Sequence, residues 1–189
     1  MPAPISDSFP ERVLQAYASR PDDERESVLY LDQRTVDVKL DALARLMPPG
    51  ATFYYAVKTN PNRQLLAHLA TAGCGMDIAS RAELDKAMGA GTAPEKISYG
   101  NTLKHPRDIA PAHRAGVTLF SADSENELTK IAANAPGARI WLRTAVQSDG
   151  AVFTLTQKYG ASPDAVPDLA AHARKLGLDV HGLSFHVGS

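Results

Sequence analysis

The spacing of apolar residues changes near Ala51. Before it, apolar residues recur at helical spacing from about Pro10 to Ser19 and again from Val36 to Leu46. A short apolar run between them, Val28 to Leu31, predicts a strand. Beyond Ala51, short apolar runs alternate with longer stretches of helical spacing, which predicts a regular succession of strands and helices.

Six apolar runs predict strands in the second part of the chain: Phe53 to Val57, Met76 to Ile78, Lys96 to Tyr99, Thr118 to Phe120, Arg139 to Arg143 and Val180 to Phe185. Helix-start signals follow them: Asn60 with Pro61, Ser80 with Glu83, His105 with Pro106, Ser124 with Glu127, and Ser162 with Pro163. Glycines mark the helix ends at Gly73, Gly91, Gly116, Gly137 and Gly177. This alternation predicts a parallel α/β sheet, either doubly wound or closed as a (β/α) barrel.

Charge and cysteine usage narrow the class of protein. With 20 Lys plus Arg against 21 Asp plus Glu, the net charge of -1 gives no field that would attract nucleic acid. The single cysteine, Cys74, cannot form an internal disulfide, and no Cys/His cluster has the spacing of a metal site. The N-terminus has no secretory pattern, and no apolar run is long enough to span a membrane. We therefore expect a cytoplasmic protein with no metal, nucleic-acid partner or membrane contact.

Polar residues follow the predicted strands, where parallel α/β folds bind their ligands. These residues are Lys58, Asp77, Asn101, Asp123, Arg143 and His186. The Lys58 amine would lie at the mouth of a buried strand bundle, where partial loss of hydration favours the free amine that forms a Schiff base. The alternative is a solvated lysine at a strand end.

The other polar residues also have two interpretations each. Asp77 can pair with a cation at the strand ends or form an Asx turn, and Glu83 can serve the site or cap the helix through Ser80. Arg143 is either a clamp for a carboxylate or phosphate or a structural ion-pair partner. His186 is either structural or a flat ring against a ligand, with Gly188 and Ser189 behind it as phosphate donors.

Four strings of residues carry a family resemblance: Tyr55-Ala56-Val57-Lys58-Thr59-Asn60, Gly75-Met76-Asp77-Ile78-Ala79-Ser80, Tyr99-Gly100-Asn101-Thr102-Leu103-Lys104 and Ser184-Phe185-His186-Val187-Gly188-Ser189. In order and spacing they resemble the ornithine decarboxylase branch of the fold-type III pyridoxal-phosphate decarboxylases. The resemblance runs from about Leu29 to Ser189.

The resemblance implies an alanine-racemase-like (β/α)8 TIM barrel that binds pyridoxal 5'-phosphate. It makes Lys58 the Schiff-base lysine, stacks His186 on the cofactor ring and brings Ser189 to the phosphate. Asp77, Glu83 and Arg143 match polar positions around the lysine and the cofactor. Lys158 matches a lysine that pairs across a homodimer, although Tyr159 replaces the family's phenylalanine next to it.

The activity that the resemblance implies is decarboxylation of a basic amino acid, with L-ornithine giving putrescine. A relative that acts on lysine, arginine, diaminopimelate or a specialised-pathway amino acid is an alternative. An inactive homologue that binds regulatory partners is another, against which the presence of Lys58 and His186 argues. A small cofactor-carrier barrel would need more strands than the six predicted.

The length predicts an incomplete barrel. A (β/α)8 barrel takes about 250 residues, so this chain of 189 is expected to hold about six of eight strands. We expect an N-terminal fragment without the family's C-terminal β domain, divided into a helical lead-in (1–27) and a partial cofactor-binding barrel (28–189). The family's pyridine-nitrogen glutamate, its Gly-rich phosphate loop and its substrate-recognising residues would follow Ser189, so the 189-residue chain alone is expected to be inactive and to retain cofactor weakly or not at all.

Overall fold

A computed structural model describes residues 8–21, 28–146 and 158–187. The chain divides into two compact units, Met1–Ala51 and Thr52–Ser189. The predicted boundary after residue 27 stays a prediction, because it adjoins residues outside the described part and the units divide at a different point.

The described residues of the first unit form two helices, α1 (Phe9–Ala18) and α2 (Gln33–Leu46). The Asp32 carboxylate accepts a hydrogen bond from the Arg34 amide at the start of α2 and lies 2.8 Å from the Arg12 guanidinium of α1. The strand predicted at Val28 to Leu31 is wrong, since these residues have no regular structure. A strand needs a neighbour for its backbone hydrogen bonds, and the described residues of this unit form none.

The second unit is built on one parallel sheet of six strands in the order β1-β2-β3-β4-β5-β6. The strands are β1 (Tyr54–Ala56), β2 (Gly75–Ile78), β3 (Ile97–Tyr99), β4 (Leu119–Ala122), β5 (Arg139–Arg143) and β6 (Asp179–Ser184). The helices between them are α3 (Arg63–Thr71), α4 (Arg81–Gly89), α5 (Pro106–Arg114), α6 (Glu125–Asn134) and α7 (Val166–Lys175). The six predicted strands are confirmed, and this sequential order is that of a partial (β/α) barrel.

Local capping explains where most of these helices begin. Ser80, His105 and Ser124 accept hydrogen bonds from backbone amides at the starts of α4, α5 and α6, as the sequence predicts. The cap predicted at Asn60 is wrong: Asn62 caps α3, because Val57–Thr59 first form a single 3-10 turn. A second 3-10 turn, Pro163–Ala165, separates Ser162 from α7.

The core lies between the sheet and its helices. Tyr99 of β3 and Phe120 of β4 are fully buried, and their rings stack with centroids 5.9 Å apart. The helices contribute buried side chains such as Leu66, Ile109 and Leu128. This packing fixes the strands and therefore the residues at their carboxyl ends. Among the described helices, none is long and apolar enough to cross a membrane.

Candidate active site

The carboxyl ends of the strands surround a cavity of about 240 Å³. Its walls are Tyr54, Ala56, Asp77, Ser98, Gly100, Ser121, Trp141, Arg143, Ser184, Phe185 and His186. Three residues predicted from the sequence, Asp77, Arg143 and His186, therefore line the same space. Strand register brings the walls together, because Ala56 is opposite Asp77, Asp77 is opposite Ser98, and Arg143 is opposite Ser184.

Asp77 is a half-buried carboxyl group in the wall of this cavity. Burial raises its pKa to about 6, against the opposing effects of the Lys58 charge and of a hydrogen bond from Ser98. The neighbouring Glu83 carboxylate raises the pKa further, and the Gly100 amide lowers it. The charge of Lys58, in the 3-10 turn after β1, thus acts on Asp77, and the pairing of Asp77 with a cation stays a prediction.

Lys58 itself is exposed and does not belong to the cavity wall. The prediction that Lys58 is partly shielded from water is therefore wrong, because its side chain is exposed. The physical reason is its position: the 3-10 turn carries Lys58 beyond the last residue of β1, away from the buried Val57. What the structure provides around Lys58 is a nearby carboxyl group.

Gly100 gives the Asp77 carboxyl group its space. A Cβ on Gly100 would lie 2.2 Å from Asp77 Oδ1 and 2.9 Å from its Cγ, closer than any real contact. The backbone of Gly100 is also held, since its amide donates to the Ile78 carbonyl over 3.0 Å. A glycine is needed here because of this close approach.

Glu83 takes part in the start of α4, which is one of its two predicted roles, and its role in the site stays a prediction. Its amide donates to Ser80 Oγ over 3.3 Å at the start of α4. Its carboxylate, however, accepts a 2.7 Å hydrogen bond from the Ala79 amide, one residue before the cap, and its charge acts on Asp77. Glu83 therefore fixes the loop after β2 and contributes to the electrostatics of the cavity.

Arg143 lies close to the short segment that contains Lys158, Tyr159 and Gly160. The Arg143 guanidinium carbon lies 5.2 Å from the Tyr159 ring centroid, and Lys158 Nζ lies 5.3 Å from it. Asp123 accepts a 2.9 Å hydrogen bond from the Gly160 amide. Asp123 and Tyr159 thus hold this segment beside the cavity.

The end of β6 supplies His186 and an unpartnered hydroxyl. Ser184 Oγ is buried and has no hydrogen-bond partner among the described residues. His186 is exposed at the cavity mouth, beside Phe185. Gly188 and Ser189 lie outside the described residues, so the predicted phosphate contact of Ser189 stays a prediction. A buried hydroxyl without a partner marks a place where a polar ligand would be stabilised.

Sequence reasoning missed the small wall residues Ser98, Gly100, Ser121 and Ser184. In the sequence, each is a small residue within or at the end of an otherwise apolar strand. Their contribution to a cavity becomes visible only when the strands are placed side by side. Among the described residues, no group of three or more His, Cys, Asp or Glu side chains could hold a metal ion.

We expect Asp77→Asn to change how stability depends on pH. The folded pKa of about 6 is above the ordinary value of 3.8, so between these values the folded protein binds more protons than the unfolded chain. The contribution of Asp77 to the free energy of unfolding is present below pH 3.8 and is lost as pH rises through about 6. Urea unfolding from pH 4 to pH 7 should show the advantage of the parent protein over the variant falling by up to about 3 kcal/mol. A difference that stays constant or grows with pH would contradict this environment for Asp77.

Known proteins resemble both the sequence and the fold. Residues 33–189 match the family described as pyridoxal-dependent decarboxylase, pyridoxal binding domain. Ornithine decarboxylase of Mus pahari is 41% identical over 141 residues, which cover 75% of this chain and 31% of that protein. The arginine decarboxylase structure of Paramecium bursaria Chlorella virus has a TM-score of 0.78 at 33% identity and covers 82% of this chain and 42% of its own. A lysine decarboxylase structure of Selenomonas ruminantium has a TM-score of 0.75 at 33% identity, covering 82% and 40%.

These matches agree with the resemblance carried by the four sequence strings. The chain spans about a third of the length of the first curated relatives that it matches. The family match covers most of the chain and includes the whole sheet and the cavity at its carboxyl ends. The chain therefore belongs to the pyridoxal-binding domain family of the pyridoxal-dependent decarboxylases.

Proposed function

We propose that the full-length gene product is a pyridoxal-phosphate-dependent decarboxylase of basic amino acids, with L-ornithine as its substrate and putrescine as its product. The observation that carries this proposal is the cavity at the strand ends, where Asp77, Arg143 and His186 meet beside Lys58. Family membership supports the cofactor, pyridoxal 5'-phosphate.

The chemistry of the cavity fits this cofactor. An aromatic aldehyde that carries a phosphate needs an amine for its aldehyde carbon, a flat surface for its ring and hydrogen-bond donors for its polar atoms. Lys58 supplies the amine, His186 the flat ring, and Arg143 with the unpartnered Ser184 hydroxyl the donors. We propose that Ser189 adds a phosphate contact.

Each residue has a role that follows from its surroundings. Lys58 would hold the cofactor covalently and release it to the incoming amino acid, and its charge acts on the nearby Asp77 carboxyl group. Glu83 would keep the loop after β2 in place through the Ala79 amide. His186 would orient the ring, and Arg143 would attract the carboxylate or phosphate. When bound, pyridoxal phosphate would supply the electron sink that allows the amino acid to lose CO2 and become an amine.

The curated relatives support ornithine among the basic amino acids. Several of them are named ornithine decarboxylase, at 35 to 43% identity, and related structures are named for arginine, lysine or ornithine. We also propose a cytoplasmic location. We further propose a homodimer, in which Lys158 pairs across the interface. The homodimer is supported by Lys158, which is exposed beside Tyr159 and therefore accessible to a second subunit.

Release of CO2 by the purified full-length gene product tests the proposed function. Carboxyl-labelled ornithine, lysine, arginine and diaminopimelate should be compared with pyridoxal phosphate added. We expect kcat/KM for ornithine to exceed that for lysine by at least about tenfold, the discrimination that one methylene typically allows. A higher kcat/KM for another of these amino acids would show that ornithine is not the preferred substrate. No CO2 from any of them, with cofactor bound, would favour an inactive homologue.

A further inference from the structure

Lys104 is a buried lysine behind the cavity wall, four residues after Gly100. Its side chain is 0% exposed, and that of its partner Glu127 is 1% exposed. Lys104 Nζ lies 2.9 Å from Glu127 Oε1, 2.7 Å from the Asn101 carbonyl and 2.6 Å from the Ser121 carbonyl. An ammonium group has three N–H donors, so all three are used.

The charges of this group are balanced within the fold. Burial lowers the pKa of Lys104 to about 8, and the Glu127 carboxylate opposes that shift. Lys130 reaches the second Glu127 oxygen, 2.5 Å away, from the helix surface, and the Lys104 amide donates to Oε1 over 3.2 Å. Both ions are therefore fully paired, which is the condition under which a buried ion pair is tolerated.

Hydrogen bonds connect Lys104 to three strand ends. The Ser121 carbonyl belongs to β4, and Ser121 lines the cavity. Asn101 follows β3, and its Nδ2 donates to the Ala79 carbonyl after β2 over 3.3 Å. The Ala79 amide in turn donates to Glu83, whose charge acts on Asp77. A series of hydrogen bonds thus runs from the Lys104 ammonium to Glu83, whose charge acts on Asp77 in the cavity wall.

We propose that Lys104 is a positioning residue, which fixes the ends of β2, β3 and β4 and so sets the shape of the cofactor cavity. An ion pair of this burial contributes little net stability compared with apolar residues of similar volume, so its value is in placing the carbonyls that it binds. Apolar side chains could fill the same space, but they could not hold two strand-end carbonyls at fixed distances. This inference rests on the proposed function.

Lys104→Met tests the inference in the full-length gene product. The variant keeps the length and apolar stem of the side chain and removes the three hydrogen bonds. We expect the dissociation constant of pyridoxal phosphate to rise about tenfold or more and the visible circular dichroism of the bound cofactor to change, since small displacements at a binding site have effects of this size. Lys130→Met is the matched control: it removes the other Glu127 ion pair, leaves the strand carbonyls held, and should bind the cofactor within about twofold of the parent protein.

Two further variants keep the test decisive if Lys104→Met does not fold. Lys104→Met with Glu127→Gln removes both buried charges, and Asn101→Ala breaks only the link to the Ala79 carbonyl. Both should weaken cofactor binding, Asn101→Ala less than the double variant. Folded variants with the parent's dissociation constant and spectrum, at any loss of stability, would overturn the positioning role. If the parent protein itself bound no pyridoxal phosphate, the proposed function would fail instead.

Discussion

Lys58→Ala is expected to lower the decarboxylation rate of the full-length gene product by at least about 1,000-fold, the size of effect typical for removal of a covalent catalytic group. The proposed role of Lys58 is to hold the cofactor and exchange it with the substrate amine. Lys104, the buried lysine behind the cavity wall, cannot take over this role, since all three of its N–H donors are engaged. The decrease should appear in kcat measured with saturating cofactor.

Stability separates this effect from misfolding. Lys58 is exposed, so its truncation should change the free energy of unfolding by less than about 0.5 kcal/mol. Lys86→Ala, an exposed lysine on α4, is the control and should retain the parent rate. A Lys58→Ala protein that folds normally and keeps more than a tenth of the rate would remove Lys58 from the catalytic role.

Gly100→Ala is expected to disrupt the site as strongly as the loss of a ligand-binding residue. The new methyl group would need the space of Asp77 Oδ1, 2.2 Å away, while the Asp77 carboxyl group is held by Ser98 and by burial. Either the carboxyl group or the strand end must move. We expect the dissociation constant of pyridoxal phosphate to rise at least about tenfold, and the free energy of unfolding to fall by about 1 to 3 kcal/mol.

Gly89→Ala is the matched control for this substitution. A Cβ at Gly89, near the end of α4, meets nothing within 4 Å, so this change should leave cofactor binding unaltered and raise stability by about 0.5 to 1 kcal/mol. Equilibrium binding followed by absorbance and urea unfolding measure both quantities. If Gly100→Ala bound cofactor like the parent protein, the close approach of Asp77 and Gly100 would not matter for the site.

Local signals explain why the sequence predicts most of the sheet. Each strand of the second unit combines a short apolar run with a glycine before it, and capping residues that the sequence identifies follow β2, β3 and β4. Arg139–Arg143 is predicted at its observed bounds for this reason. The run at Val28 to Leu31 has the same local appearance but lacks a pairing partner, which no local signal reveals.

The site is predictable only in part, because it depends on contacts between distant residues. Asp77, Arg143 and His186 are found by their place at or just after the ends of strands, and the structure brings them to one cavity. Lys104 is not found, since its partners Ser121 and Glu127 are 17 and 23 residues further along the chain. The opening formed by small wall residues such as Ser98 likewise exists only once neighbouring strands are in register.

Chemical trapping of the cofactor shows directly whether Lys58 is the residue that binds it. The full-length gene product should be incubated with pyridoxal phosphate, reduced with borohydride, digested and analysed by peptide mass spectrometry. Because the Lys58 amine is accessible and lies near the Asp77 carboxyl group at the cavity, we predict a phosphopyridoxyl group on the peptide that contains Lys58, at close to one per chain. Stoichiometric labelling of a different lysine, or no labelling of a folded protein, would contradict the account.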